Sequence, residues 1–135
     1  MRGVTSKARG GEGGFTLLEL ITVISLIAIL TAIALPNYKA AIIQAREAVL
    51  REDLFQFRDR IDQYYADKGK YPESLEALLE QGYLRAIPAD PMTGSADWTA
   101  IPAEPDPDNP DLVGIYDVKS SSTGVSAGGT PYSEW

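Results

Sequence analysis

Between Phe15 and Tyr38 the chain has a single charged residue, Glu19. A run of this length meets the roughly 20 apolar residues needed to cross a hydrocarbon layer. A helix that is apolar on all sides has to be covered by lipid or by other helices, so part of this chain cannot belong to an ordinary water-soluble core. A carboxylate within such a helix costs about 2.5–3.5 kcal/mol on insertion scales. Glu19 therefore calls for a partner, and the segment reads as one built to associate.

The flank sets the orientation. Arg2, Lys7 and Arg9 stand against Glu12 before the apolar run, and an excess of basic residues keeps that end cytoplasmic and sends the remainder outward. Two ordinary constructions fit part of the pattern. A secretory signal has a basic start, an apolar centre and a small-x-small cleavage site, which Ala32-Ile33-Ala34 supplies, with the mature chain then starting at Leu35. A plain transmembrane anchor explains the length of the run. Neither gives Glu19 a role.

Gly14-Phe15-Thr16-Leu17-Leu18-Glu19, preceded by a short basic leader, resembles the class III signal of type IV pilins and of the pseudopilins of type II secretion. The resemblance implies cleavage between Gly14 and Phe15 on the cytoplasmic face by a prepilin peptidase, which also N-methylates the new Phe15 amine. It implies that Glu19 and the Phe15 amine serve assembly.

Composition narrows the remaining choices. With 135 residues there is room for one modest domain beyond the apolar segment. Of 12 basic and 19 acidic residues, three and one lie in residues 1–14, which leaves the rest strongly acidic. Such a surface repels phosphate backbones and argues against nucleic-acid binding. There is no Cys and no His, so disulfides, thiolate chemistry, imidazole bases and Cys/His zinc sites are excluded. The leader's Gly10-Gly11-Glu12-Gly13-Gly14 lacks the Lys-Ser/Thr end of a phosphate-binding loop. The residues point away from an enzyme. Many type IV pilins carry a C-terminal disulfide loop, and the absence of Cys leans toward the pseudopilin branch.

From Phe15 no Gly occurs before Gly69, and Pro36 is the one Pro before Pro72. The spacing predicts a helix of about 80 Å at 1.5 Å per residue. Its second half is amphipathic, with Val49, Leu54, Phe57, Ile61, Tyr64 and Tyr65 as the buried face. Glu47 and Arg51, at i and i+4, read as a solvated charge pair. Pro36 removes a hydrogen bond to Ala32 and predicts a kink or loosening, either at a membrane exit or, as the family resemblance implies, where subunits unwind on packing. Lys68-Gly69-Lys70-Tyr71-Pro72 ends the helix.

A short second helix follows, with Ser74 as N-cap, Leu75, Leu78 and Leu79 as its buried stripe and Gly82 at its end. Tyr71-Pro72-Glu73-Ser74-Leu75, Gly82-Tyr83-Leu84 and Pro88-Ala89-Asp90-Pro91 are similar to the major pseudopilins of type II secretion. Trp98–Ile101 and Val113–Val118 read as strands. Thr130–Trp135 reads as an edge strand, and Ser120–Gly124 with Gly128-Gly129 as a flexible loop.

The acids of Glu104–Asp111 are the one concentration of oxygen ligands, and calcium takes six to eight oxygens. They read either as a solvated loop or as a site built from Asp106, Asp108, Asp111 or Asp117. Major pseudopilins hold calcium in a loop near the C-terminus. Here Lys119–Pro131 has no acidic residue, so this chain departs from that pattern.

The expectation is an α+β, pilin-like fold: a long N-terminal helix, half transmembrane and half amphipathic, packed on a small antiparallel sheet with one short extra helix. Residues 1–14 form the leader, 15–38 the assembly helix and 39–135 the amphipathic helix and head. By the resemblance, the protein is an inner-membrane subunit with a periplasmic head that self-associates into a type II secretion pseudopilus. Its partners would be the peptidase, the inner-membrane assembly platform and minor pseudopilins. A cytoplasmic ATPase would drive assembly, and the filament would act as a piston exporting folded proteins. The nearest alternative is the major subunit of a type IV pilus. An uncleaved, tethered binding domain is a third.

Overall fold

The computed structural model describes Gly3, Gly14 and residues 16–135. Two compact units are present, Met1–Lys39 and Ala40–Trp135. The elements in chain order are α1 (Leu17–Lys68), α2 (Leu75–Glu80), β1 (Thr99–Pro102), β2 (Ile115–Lys119) and a 3-10 helix at Tyr132–Glu134. A long N-terminal helix, a two-stranded antiparallel sheet and one short extra helix make this an α+β, pilin-like fold.

α1 starts at a side-chain cap. Thr16 Oγ1 accepts the Glu19 N–H at 3.2 Å, and the Thr16 carbonyl accepts that of Leu20 at 3.1 Å, which satisfies donors that a helix start leaves free. The helix ends at Gly69, whose φ of 71° suits a C-terminal glycine and whose N–H reaches Tyr65 O at 2.8 Å. It remains helical on both sides of Pro36.

In the second unit α1 buries Leu50, Leu54, Phe57, Ile61 and Tyr64, steps of four and three that hold one stripe in register. Leu50 takes the place expected for Val49, which is 50% exposed, and Tyr65 is 37% exposed and stacks on Tyr71 at 4.7 Å. Leu75, Leu78, Val118 and Tyr132 complete the core. Ser74 caps α2 as expected, accepting the Ala77 N–H at 3.2 Å. Leu79 is not buried but 38% exposed, because six residues of helix turn only Leu75 and Leu78 inward.

β1 and β2 pair antiparallel with Thr99 opposite Lys119 and Ala100 opposite Val118, and a bulge falls between Ile101 and Pro102. Proline has no N–H to give to a ladder, so the bulge coincides with the one strand residue that cannot donate. Thr130–Trp135 forms no edge strand. Val125 makes an isolated bridge to Pro131, and the chain then turns so that Glu134 N–H bonds Pro131 O at 3.0 Å.

Ser120–Gly124 is tied down rather than free. Ser120 is buried, its hydroxyl donates to Asp90 Oδ2 and accepts the Ser122 N–H at 3.1 Å, and Ser122 Oγ accepts the Gly124 N–H at 3.1 Å. Short hydroxyls can satisfy backbone donors two residues on, so a composition that reads as flexible becomes a run of local caps.

Candidate functional site

Every residue from Thr16 to Ala41 is exposed. Leu17 and Leu18 are 73% and 74% exposed, and Ile21, Ile24, Ile27, Leu30 and Ile33 are all more than half exposed. Apolar surface on this scale marks an interaction or membrane face. The Thr and Ser hydroxyls inside this part of the helix are already satisfied within it: Thr22 donates to Leu18 O at 2.8 Å, Ser25 to Ile21 O at 2.7 Å and Thr31 to Ile27 O at 2.7 Å. Apolar surroundings demand that internal satisfaction. Among the described residues one helix is long and apolar enough to cross a membrane.

Glu19 lies in the first turn of α1, exposed, with its N–H bonded to Thr16. The Thr16-x-x-Glu19 spacing matches a capping box, a helix-start signal legible in the sequence itself. A carboxylate there also suits the positive end of the helix dipole. Gly14 is exposed with nothing within 4 Å of a notional Cβ. Phe15, the expected cleavage and methylation residue, lies outside the described residues.

The head has a second polar assembly that the sequence reading misassigned. Glu47 is buried, not solvated: its Oε1 accepts the Tyr132 hydroxyl at 2.8 Å and the Ala127 N–H at 3.1 Å. Burial and then the Glu47 carboxylate raise the Tyr132 pKa above its ordinary value. Arg51 leaves Glu47 and lies over the Trp135 ring at 4.6 Å. Two helical turns further, Arg58 donates to Asp117 Oδ1 at 2.7 Å, to Trp135 O at 2.6 Å and to Val118 O at 3.3 Å. Glu47, Arg51 and Arg58 thus hold the last turn of the chain against α1. The i, i+4 rule misled because two partners lay 80 and 85 residues away in sequence.

The expected cation ligands are not gathered. Asp117 is committed to Arg58. Asp106 Oδ1 accepts the Asp108 N–H at 2.9 Å, a turn contact. Among the described residues no group of three or more acidic side chains is placed to hold a metal ion.

A family profile described as the prokaryotic N-terminal methylation motif matches residues 9–35. The chain is 28% identical over 131 residues to the type II secretion system core protein G of Escherichia coli, covering 85% of this chain and 84% of that protein. It is 31% identical over 96 residues to the core protein G of Klebsiella pneumoniae, covering 59% of this chain and 69% of that protein. To the major component of the type IV wide pilus of Thermus thermophilus it is 38% identical over 77 residues, 57% of this chain and 58% of that protein. No solved structure matches the chain significantly. With a methylation motif at its start, an exposed apolar helix behind it and relatives of both kinds, the chain belongs to the family of type IV pilins and type II secretion pseudopilins, which are structural subunits.

Proposed function

We propose that the protein is the major subunit of a type II secretion pseudopilus. The observation that carries this reading is the apolar first half of α1, exposed throughout, with one acid in its first turn. Residues 1–14 are a leader removed at Gly14-Phe15, the Phe15 amine is methylated, and residues 15–38 anchor the subunit in the inner membrane before assembly. The head, residues 39–135, stands in the periplasm. In a filament of staggered parallel helices, the Phe15 amine of an incoming subunit pairs with the Glu19 carboxylate of one already in place. The pair offsets the desolvation of both charges and sets the axial register. Pro36, which offers no N–H to Ala32, is where α1 loosens as subunits pack. The growing filament acts as a piston for folded proteins, and the subunit's work is self-association rather than catalysis.

Coverage favours this reading over a surface pilus. The matches to core protein G of Escherichia coli and Pseudomonas aeruginosa extend over 85% and 90% of this chain, whereas that to the pilin of Thermus thermophilus covers 57%. The pilus reading rests on the higher identity of that shorter match, 38%. Electron microscopy of sheared cells, paired with the secretome of a deletion strain, separates the two. Lost secretion without long surface fibres is the expected result, and long fibres with unchanged secretion identify a pilus.

A further inference from the structure

Asp53 Oδ2 is the one buried side-chain oxygen without a hydrogen-bond partner among the described residues. It sits on α1 between the core residues Leu50 and Leu54, in a head with few other interior acids. Asp90 is fully buried and fully engaged: Oδ1 accepts the Met92 N–H at 2.8 Å and Oδ2 accepts the Ser120 hydroxyl. Two donors satisfy the buried Asp90 carboxylate. Asp53 is half-buried, and its Oδ2 has no such donor among the described residues.

The charged and titratable neighbours give no compensation. Glu52 precedes Asp53 on α1, and both Glu52 and Asp90 repel its charge. Arg60 and Arg85 border the surface depression that Asp53 shares with Gln56, Tyr83 and Pro88, but among the described residues neither forms an ion pair with Asp53, and Arg60 is turned to Gln63 Oε1 at 2.8 Å. Tyr83 donates its hydroxyl to Asp67 at 2.7 Å, a bond that raises its pKa and keeps it neutral. Burial first, then Asp90 and Glu52, raise the Asp53 pKa above its ordinary 3.8.

We propose that Asp53 is a proton-binding site of the folded head, and that its ionisation weakens the packing of α1 over the Asp90–Ser120 junction. The folded chain then binds this proton more tightly than the unfolded chain does. By linkage, the stability it contributes is fully present below the unfolded value near 3.8 and is lost as pH rises through the raised folded value. The head carries other acids that titrate as well, so the Asp53 effect is read as a difference between variants.

The full chain in detergent provides the test, because both tryptophans, Trp98 and Trp135, lie in the head and their fluorescence follows its melting. Asp53→Asn, a neutral isostere, is expected to melt above the wild type at neutral and alkaline pH, with the gap narrowing as pH falls toward the unfolded value near 3.8. Asp53→Glu, still ionisable, should retain the wild-type pH dependence. A gap that is constant with pH overturns the proposal, as does an Asn variant that melts lower throughout or does not fold. A melting rise on adding calcium that chelator reverses in the wild type, and that Asp53→Asn abolishes, would assign the oxygen to a cation and equally overturn it.

Discussion

Glu19 and Gly114 show how much a single residue can decide. Glu19 is placed in the first turn of α1 with the Thr16 cap beside it, so its loss removes a helix-start acid as well as the proposed partner of the Phe15 amine. Glu19→Ala and Glu19→Gln are expected to insert in the membrane and be cleaved, yet to assemble poorly and fail to support secretion. Glu19→Asp should retain partial function. Immunoblots of membrane and sheared fractions check this, and normal filament abundance in Glu19→Ala would show that charge pairing does not drive assembly. Gly114 is a different kind of constraint. Its φ is 132°, and a Cβ there would meet Pro72 O at 2.6 Å and Tyr71 O at 2.7 Å. The chain passes this close because Ile115 N–H bonds Pro72 O at 2.8 Å and Ala103 N–H bonds Gly114 O at 2.7 Å. Gly114→Ala is expected to destabilise the head by about 1–3 kcal/mol from backbone strain alone, seen as an earlier melting transition in tryptophan fluorescence.

Among the elements, the C-terminal turn is the most dependent on distant partners. A chain without Cys cannot staple its tail covalently, and here Glu47, Arg51 and Arg58 hold it through hydrogen bonds and a cation–π contact. Glu47→Ala strands the Tyr132 hydroxyl and the Ala127 N–H. Leaving a buried group unpaired costs about 1–3 kcal/mol, so the melting transition should fall by an amount that Glu47→Gln, which keeps an acceptor, largely avoids. The same element bears on calcium. Its loop is held by the carboxylates of Glu47 and Asp90, and Asp117 is spent on Arg58. Melting curves of the full chain are therefore expected to coincide with calcium and with chelator. A calcium-dependent rise that survives Asp53→Asn would instead point to Asp106, Asp108 or Asp111 as ligands.

At the scale of the whole molecule, an apolar helix exposed along its described residues and a head with its own core amount to a subunit rather than a finished machine. The proposed processing makes a direct prediction. Intact-mass and N-terminal analysis of membrane-extracted protein should find a chain beginning at N-methyl-Phe15. A start at Leu35 would mean that an ordinary signal peptide had been removed, taking Glu19 with it. A bulky replacement of Gly14 should leave the precursor uncut, whereas Gly14→Ala should be cut in part.

Local patterns carried the long helix, its end at Gly69, the Ser74 cap and the two strands, because each depends on residues a few positions apart: glycine-free length, a short polar cap, alternation in period two. The same is true of Glu19, whose isolation in an apolar run is visible without coordinates. What only the tertiary structure decided are the contacts made across 30 to 85 residues. Glu47 turned inward because Tyr132 and Ala127 arrive over it, and Leu50 displaced Val49 because the head sets the rotational phase of α1. The serine loop became ordered because Asp90 reaches Ser120. Burying a polar group is favourable only when its partners are in place, and no window of sequence contains both halves of such a pair.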